Sequence, residues 1–320
     1  MSTLPLFEEP SSFDRERLRR KLEEAARAGV FVGASSWKYE GWCGQIYTRE
    51  RYQTRGRFSE KRFAEECLAE YATIFPVVCG DFTFYQFPSE AYWRKLFTSA
   101  PPTLLYALKV PEDITVKMFP THARYGPRAG QINESFLNAA IFDSGFLELL
   151  RPYRSQVAVL ILEFGAFSQR TYSDVSEFLV ELDPFLAALP RDFRYAVEIR
   201  NEEFLGPEYF AVLRSHGVAH VLNAWTRMPE IGEQMAMPEV FTADFTVARA
   251  LLRKGRAYAE AVEKFSPYAA VKDPNPSTRQ ALHHLVLRAT ARNEPSYIFV
   301  NNRLEGNAPE SIRAILEESG

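Results

Sequence analysis

Eight short apolar runs recur along the chain with helix-compatible segments between nearly all of them, and this alternation leaves few folds open. The runs are Val30–Ser36, Val77–Phe84, Leu104–Val110, Val157–Phe164, Arg194–Arg200, Ala219–Trp225, Phe245–Leu252 and Ser296–Asn302. Strand followed by helix, eight times over, predicts an α/β protein built as a single closed (β/α)8 barrel of the TIM type. Barrels of this kind place their chemistry at the C-terminal ends of the strands. Most of the runs end in polar residues, which are therefore the first candidates for a site.

The chain has 320 residues, more than the roughly 250 of a bare barrel. The surplus is assigned to long loops and to an N-terminal extension over residues 1–29, ahead of a barrel domain over residues 30–320. Residues 1–12 are polar and proline-bearing and are expected to be poorly ordered. Ser12 or Asp14 can cap one helix running to about Ala28, with Gly29 ending it, and this helix is expected to close the bottom of the barrel. Ser59 is expected to cap the first barrel helix. The least regular stretches, Pro111–Gln131 and Arg227–Met237, are candidate lids.

A formal charge of −3 gives no global attraction to nucleic acid or membrane, so any affinity for phosphate has to be local. Three cysteines, Cys43, Cys67 and Cys79, are too few for a disulfide framework. Only Cys43, in the first strand-to-helix loop, is a candidate reactive thiol, and an inert thiol is the favoured reading. No apolar run approaches the roughly 20 residues of a membrane span, and the start of the chain lacks a signal-peptide core. The expected location is cytoplasmic, with no membrane partner.

Residues alternate across a strand, so Glu198 and Arg200 share the inward face of the fifth run, Glu163 shares a face of the fourth with Val159 and Ile161, and the third offers Lys109. Two carboxylates, a lysine and an arginine at the mouth suit acid–base chemistry. The alternative is a buried salt-bridge network filling the top of the barrel. Near the end of the chain, Arg249, Arg253 and Arg256 and a last helix capped by Asn307 suggest an anion site at a helix N-terminus. Aromatic residues crowd the first two loops: Trp37, Tyr39, Trp42, Tyr47, Phe84, Tyr85 and Phe87. They could stack on a planar ligand or pack the loops over the barrel. Beyond them, Arg49, Arg51, Arg55, Arg57, Lys61 and Arg62 interleave with Tyr47, Tyr52 and Phe58 as a local nucleic-acid-like patch, or as a solvated loop. Five histidines offer no zinc set, so no metal is expected, although magnesium on Asp81, Glu163 or Glu198 stays open. No cofactor is expected, because no dinucleotide or phosphate-loop motif is visible.

Several segments, in order, resemble the YecE-like family, domain of unknown function 72. They are GASSWKYEGW at Gly33–Trp42, FTFYQFPSE at Phe82–Glu90, YALK at Tyr106–Lys109, AVEIR at Ala196–Arg200, TADFTVAR at Thr242–Arg249 and FVNNRLEGNAP at Phe299–Pro309. The resemblance implies a TIM-type barrel and no particular reaction. The chain departs from the family pattern at Cys79 and Asp81, where the family has Glu and Asn. It also departs at Glu163–Gly165, in place of Gln-x-Pro, and at Ile114–Val116, in place of Ile-Thr-His.

The resulting expectation is an enzyme acting on an anionic or phosphate-bearing small molecule. Glu198 would be its acid or base, oriented by Arg200, with Glu163 the second carboxylate and Lys109 an electrostatic partner. Binding residues would be Trp37, Tyr39, Trp42, Asp81, Thr83, Tyr85, Arg249, Asn301, Asn302 and Asn307. The alternatives are a non-catalytic nucleic-acid-binding barrel, using Arg49, Arg51, Arg55 and Arg57, and a degenerate partner-binding scaffold.

Overall fold

A computed structural model of the chain describes residues 13–317, and the expectation for residues 1–12 falls outside them. Each of the eight apolar runs contains a strand: β1 (Val30–Ala34), β2 (Val77–Gly80), β3 (Leu105–Lys109) and β4 (Val157–Glu163), then β5 (Tyr195–Glu198), β6 (Ala219–Ala224), β7 (Thr246–Ala250) and β8 (Ser296–Val300). All neighbours are parallel, and β8 pairs with β1 to close the ring. The fold is a (β/α)8 barrel.

The principal helices are α1 (Arg15–Arg27), α2 (Glu60–Tyr71), α3 (Glu90–Thr98), α4 (Val175–Ala188), α5 (Pro207–Ser215), α6 (Tyr258–Phe265), α7 (Pro276–Arg292) and α8 (Ala308–Glu317). Their starts follow local side-chain chemistry. Asp14, Ser59, Ser89, Asp174 and Asn275 each accept a backbone N–H of the first turn, satisfying donors that the helix itself cannot. Gly29, at φ +80, ends the chain's run out of α1, a left-handed conformation that glycine adopts without a Cβ penalty. Between β3 and β4 a helical segment starts at Ala139 under an Asn138 cap and passes through a π turn at Asp143–Leu147. Helix α1 buries Leu18 and Leu22. Its polar ties go to α2 and α8, through Arg15 to Glu70 and Arg17 to Glu317.

The weakest seam is between β1 and β2, where only Ala34 and Val78 are in register. Tyr71 of α2 bridges it: its hydroxyl accepts from Ala34 N at 2.8 Å and donates to Val77 O at 2.9 Å. Gly33 is required beside it, because a Cβ there would lie 2.0 Å from the Val77 oxygen.

Inside the barrel, alternate residues stack in rows: Val77, Cys79, Ala107, Val159, Ile161, Ala196, Val221, Val247 and Phe299 form one buried apolar cluster. At the floor, Phe31 stacks on Tyr297 at 5.5 Å and Phe245 meets Tyr297 edge-on at 6.5 Å. The two irregular stretches are ordered by polar ties. Glu112 takes hydrogen bonds from Tyr125 and Arg124 at 2.9 and 2.8 Å, and Arg128 pairs with Asp113 at 2.7 Å. In the other, Gln234 is buried and grips the β6 backbone at Asn223.

Candidate functional site

The inward rows change from apolar to charged at the C-terminal end of the barrel. Lys109 ends β3, Glu163 ends β4, Glu198 ends β5, and Arg249 lies near the end of β7. Asp81 and Arg200 stand just past β2 and β5. Glu163 is the hub, 3.0 Å from Lys109, 3.0 Å from Arg200 and 2.7 Å from Arg249. Glu198 pairs with Arg249 and, at 3.2 Å, with Arg200. Asp81 approaches Lys109 at 3.3 Å and Arg249 at 3.6 Å. Three carboxylates thus face three cations, the arrangement that makes buried charge tolerable.

Burial alone would raise the pKa of Glu163, but Arg200, Lys109 and Arg249 overcome it and hold the carboxyl well below the ordinary range. Burial alone would lower the pKa of Lys109, yet Glu163 and Asp81 reverse this and raise it. Both are therefore charged at neutral pH. Aromatic faces finish the cluster, with the Lys109 ammonium 3.9 Å from the Phe84 ring centre and the Arg200 guanidinium 3.8 Å from that of Trp225.

Access separates the three carboxylates. Glu198 is fully buried and Glu163 nearly so, whereas the Asp81 side chain is 45% exposed. Asp81 opens onto a cavity of about 240 Å3 at the ends of β1, β2 and β8, walled by Ser35, Trp37, Tyr39, Tyr258, Asn301 and Arg303 among others. Among the described residues, Ser35 Oγ, Trp37 Nε1 and Arg303 Nε, on residues that line this cavity, have no hydrogen-bond partner. Lys38 and Arg303 also line it, and among the described residues neither has a carboxylate partner. Arg303 rests over Tyr258 at 4.6 Å and Lys38 over Trp37 at 5.6 Å. Burial raises the pKa of the Tyr39 phenol, against the pull of Arg303, so it stays protonated.

The structure thus brings Trp37, Tyr39, Asp81 and Asn301 together on one cavity, and leaves other expected binding residues elsewhere. Trp42 is fully buried and donates to Asn302 Oδ1 at 3.2 Å. Asn302 also accepts from Ala308 N at 2.7 Å, and Asn307 Oδ1 accepts from Glu310 N at 2.8 Å. These two side chains occupy the amides at the start of α8, so that helix end has no vacancy for an anion of the kind anticipated. Arg249 points into the carboxylate cluster, while Arg253 (at 3.1 Å) and Arg256 both pair with Asp273. Thr83 is buried and donates to Lys109 O at 2.5 Å, and Tyr85 is exposed beneath Arg124.

Tyr47 and Tyr52, expected to interleave with the basic loop, are buried against Phe63, and Arg49 pairs with Glu40 at 2.8 Å. The third ring, Phe58, is half-buried beneath Arg49 at 4.7 Å, so packing takes up all three rings. Arg51 lies on the 3-10 turn Arg49–Tyr52, and Arg55 and Arg57 on a small hairpin pairing Gln53–Thr54 with Arg57–Phe58. Burial pushes the Cys43 thiol's pKa up, so it is not an activated thiolate. Among the described residues no group of three or more His, Cys, Asp or Glu side chains stands where it could hold a metal ion. Lys38 and Arg303 were not anticipated as ligand-binding residues, although each sits inside a quoted motif, beside Trp37 and Asn302.

These features define a (β/α)8 barrel with a charged top layer and a small polar cavity at its C-terminal mouth. The chain belongs to the family described as Protein of unknown function DUF72, whose model matches residues 31–320. It is similar in structure to a DUF72 family protein from Thermotoga maritima MSB8, at 19% identity and a TM-score of 0.58, covering 90% of this chain and 99% of that one. A DUF72 family protein from Enterococcus faecalis V583 is similar at 15% identity and a TM-score of 0.57, covering 91% and 96%. At these identities the likeness is one of fold. No curated protein matches the chain.

Proposed function

We propose that the protein is an enzyme acting on a small anionic, phosphate-bearing metabolite in the cavity at the mouth of the barrel. The supporting observation is the lining of that cavity, where Lys38 and Arg303, two cations without carboxylate partners among the described residues, stand beside Ser35, Trp37 and the half-exposed Asp81. The cavity lets an anion take charge-assisted hydrogen bonds from both cations, about 1.5–3 kcal/mol each. Its volume, about 240 Å3, lies below the range of roughly 300–1,000 Å3 typical of drug-sized ligands and suits a compact metabolite.

In this reading Lys38 and Arg303 hold the anion and Trp37 and Tyr39 shape the walls. Asp81 is the acid–base group, because a proton-transferring side chain must reach its substrate, and among the described residues Asp81 alone joins the charged cluster to the cavity. Lys109, at 3.3 Å, and Arg249, at 3.6 Å, orient Asp81. Glu163, Glu198 and Arg200 act one step back, as positioning residues for those two cations.

A thermal-shift screen of phosphorylated metabolites tests this, since a native-state ligand raises the melting temperature by mass action. The expected hit survives moderate salt, is lost in Arg303→Ala and Lys38→Ala, and is turned over by the wild type but not by Asp81→Asn. A ligand that binds equally well to both cation variants, or silence across the panel, would end this reading.

A further inference from the structure

At the opposite end of the barrel, the entries to β4, β5, β6 and β7 enclose a second cleft of about 830 Å3. Its rim is strongly basic: Arg154 precedes β4, and Arg191 and Arg194 precede β5. All three are exposed, and among the described residues none is in an ion pair. The acids nearby have other partners. Asp192 takes Arg151 at 3.3 Å, Asp183 takes His216 at 2.6 Å and Glu239 takes Arg214 at 3.3 Å. Among the described residues that line the cleft, four arginines, Arg154, Arg191, Arg194 and Arg214, stand against two aspartates, Asp192 and Asp244, a formal charge of +2. This excess stands in a chain whose overall charge is −3.

Two of the three rim arginines are already held in place. Arg191 donates to the backbone oxygen of His216, and Arg194 lies over the Phe245 ring at 5.8 Å. Their forks therefore lose little freedom on meeting a ligand. The aromatic residues of the cleft offer no open face for a base. Arg288 covers Phe241 at 3.5 Å, and Phe245 lies between Arg194 and Tyr297. What remains is a charge-recognising surface spread over several strand entries, wider than one phosphate and without a stacking platform.

We propose that this cleft binds an oligophosphate, a chain of two or more condensed phosphates, through Arg154, Arg191 and Arg194. Guanidinium forks match phosphate oxygens bidentately, and a chain of phosphates engages several forks at once. The chain could be free or the tail of a nucleoside triphosphate. The site is separate from the cavity at the mouth and does not depend on its assignment.

Titration calorimetry with tripolyphosphate, a nucleoside triphosphate, orthophosphate and a polyglutamate peptide tests it. Tripolyphosphate is expected to bind at least about tenfold more tightly than orthophosphate. Each of Arg191→Ala and Arg194→Ala should weaken it by about tenfold or more, as loss of a charge-assisted hydrogen bond does. Arg303→Ala should leave it unchanged. Equal affinity for tripolyphosphate and the nucleotide identifies the phosphate chain as the whole ligand, and tighter nucleotide binding lost in the same variants identifies the nucleotide as its source. The proposal is overturned if tripolyphosphate does not bind, if the cleft variants bind it like the wild type, if only Arg303→Ala affects it, or if polyglutamate binds as tightly. Melting temperatures of the variants within a degree or two of wild type confirm that any loss is local.

Discussion

At the floor of the barrel the inward residues are rings, Phe31, Phe245 and Tyr297 packed face and edge, while at the mouth the same rows end in Asp81, Lys109, Glu163, Glu198 and Arg249. Both ends are closed, but by different means. The floor excludes water by shape and apolar area, which makes it insensitive to pH. The mouth is closed by opposite charges that are tolerable only as a set, because each ion has given up hydration that its neighbours replace. A floor residue can thus be trimmed for the cost of the atoms removed, whereas a mouth residue cannot be removed without stranding its partners.

The largest effect follows from that difference. Arg249→Met leaves three carboxylates to share two cations, Lys109 and Arg200, and should cost about 3–5 kcal/mol, read as a lowered urea midpoint. Pairing it with Glu198→Leu should restore part of the loss, since a buried pair replaced together by apolar groups is often close to neutral. If the double variant is less stable than Arg249→Met by the full cost of a second deletion, the cluster is not acting as a unit.

Acid should separate the mouth from a second buried group. Glu163 has a depressed pKa, so the stability it contributes is full above the unfolded value of about 4.3 and is lost as pH falls below it towards the folded value. His220, on the outer side of β6, behaves differently. Burial drives its pKa down to about 4, so folding favours the neutral ring. Its contribution is full above about pH 6.5 and falls away between there and about 4, by about 3 kcal/mol for a shift of that size. Unfolding followed against pH should show two limbs. His220→Leu should flatten the upper one and Glu163→Gln the lower one, and a single limb unaffected by either would refute both assignments. Phe245→Leu, at the floor, should cost about 1 kcal/mol with the same value at pH 7 and pH 5.

The barrel was legible because strand burial leaves a mark of its own: eight apolar runs, each bounded by turns, with polar tails where they reach the mouth. The charged cluster was legible for the same reason, since alternation alone puts Lys109, Glu163 and Glu198 on inward faces. What alternation could not show was depth. Glu198 and Asp81 both belong to the cluster, yet one is fully buried and the other 45% exposed along its side chain, and that depends on which loops cover each strand end. Trp42, Asn302 and Asn307 misled in a related way. They lie at strand ends and loop starts in sequence, but their hydrogen bonds tie the first loop to the last helix. Lys38 and Arg303 were the reverse case. Nothing local distinguishes a lysine that will find a carboxylate from one that will not, because the partner is brought in, or kept away, by the fold. The departures at Asp81 and Glu163 gain meaning here as well, since these two carboxylates supply most of the negative charge that Lys109 answers.

The smallest expected effect lies at the basic rim beneath the floor. Arg154→Ala should change stability by no more than about 0.5 kcal/mol, the usual range for exposed positions, and the sign should favour the variant at low salt. Arg154 is exposed and has no ion-pair partner among the described residues, so its removal breaks no pair and relieves repulsion from Arg191 and Arg194 across the cleft. Salt near 1 M, where the screening length is about 3 Å, should erase even that difference. Side chains kept at a cost to stability are what a ligand site contains, whereas charges that serve the fold should destabilise when deleted. Melting curves of Arg154→Ala at low and high salt therefore place the rim on one side of that line, and a loss of about 1 kcal/mol or more would make it part of the structure, like the mouth cluster above it.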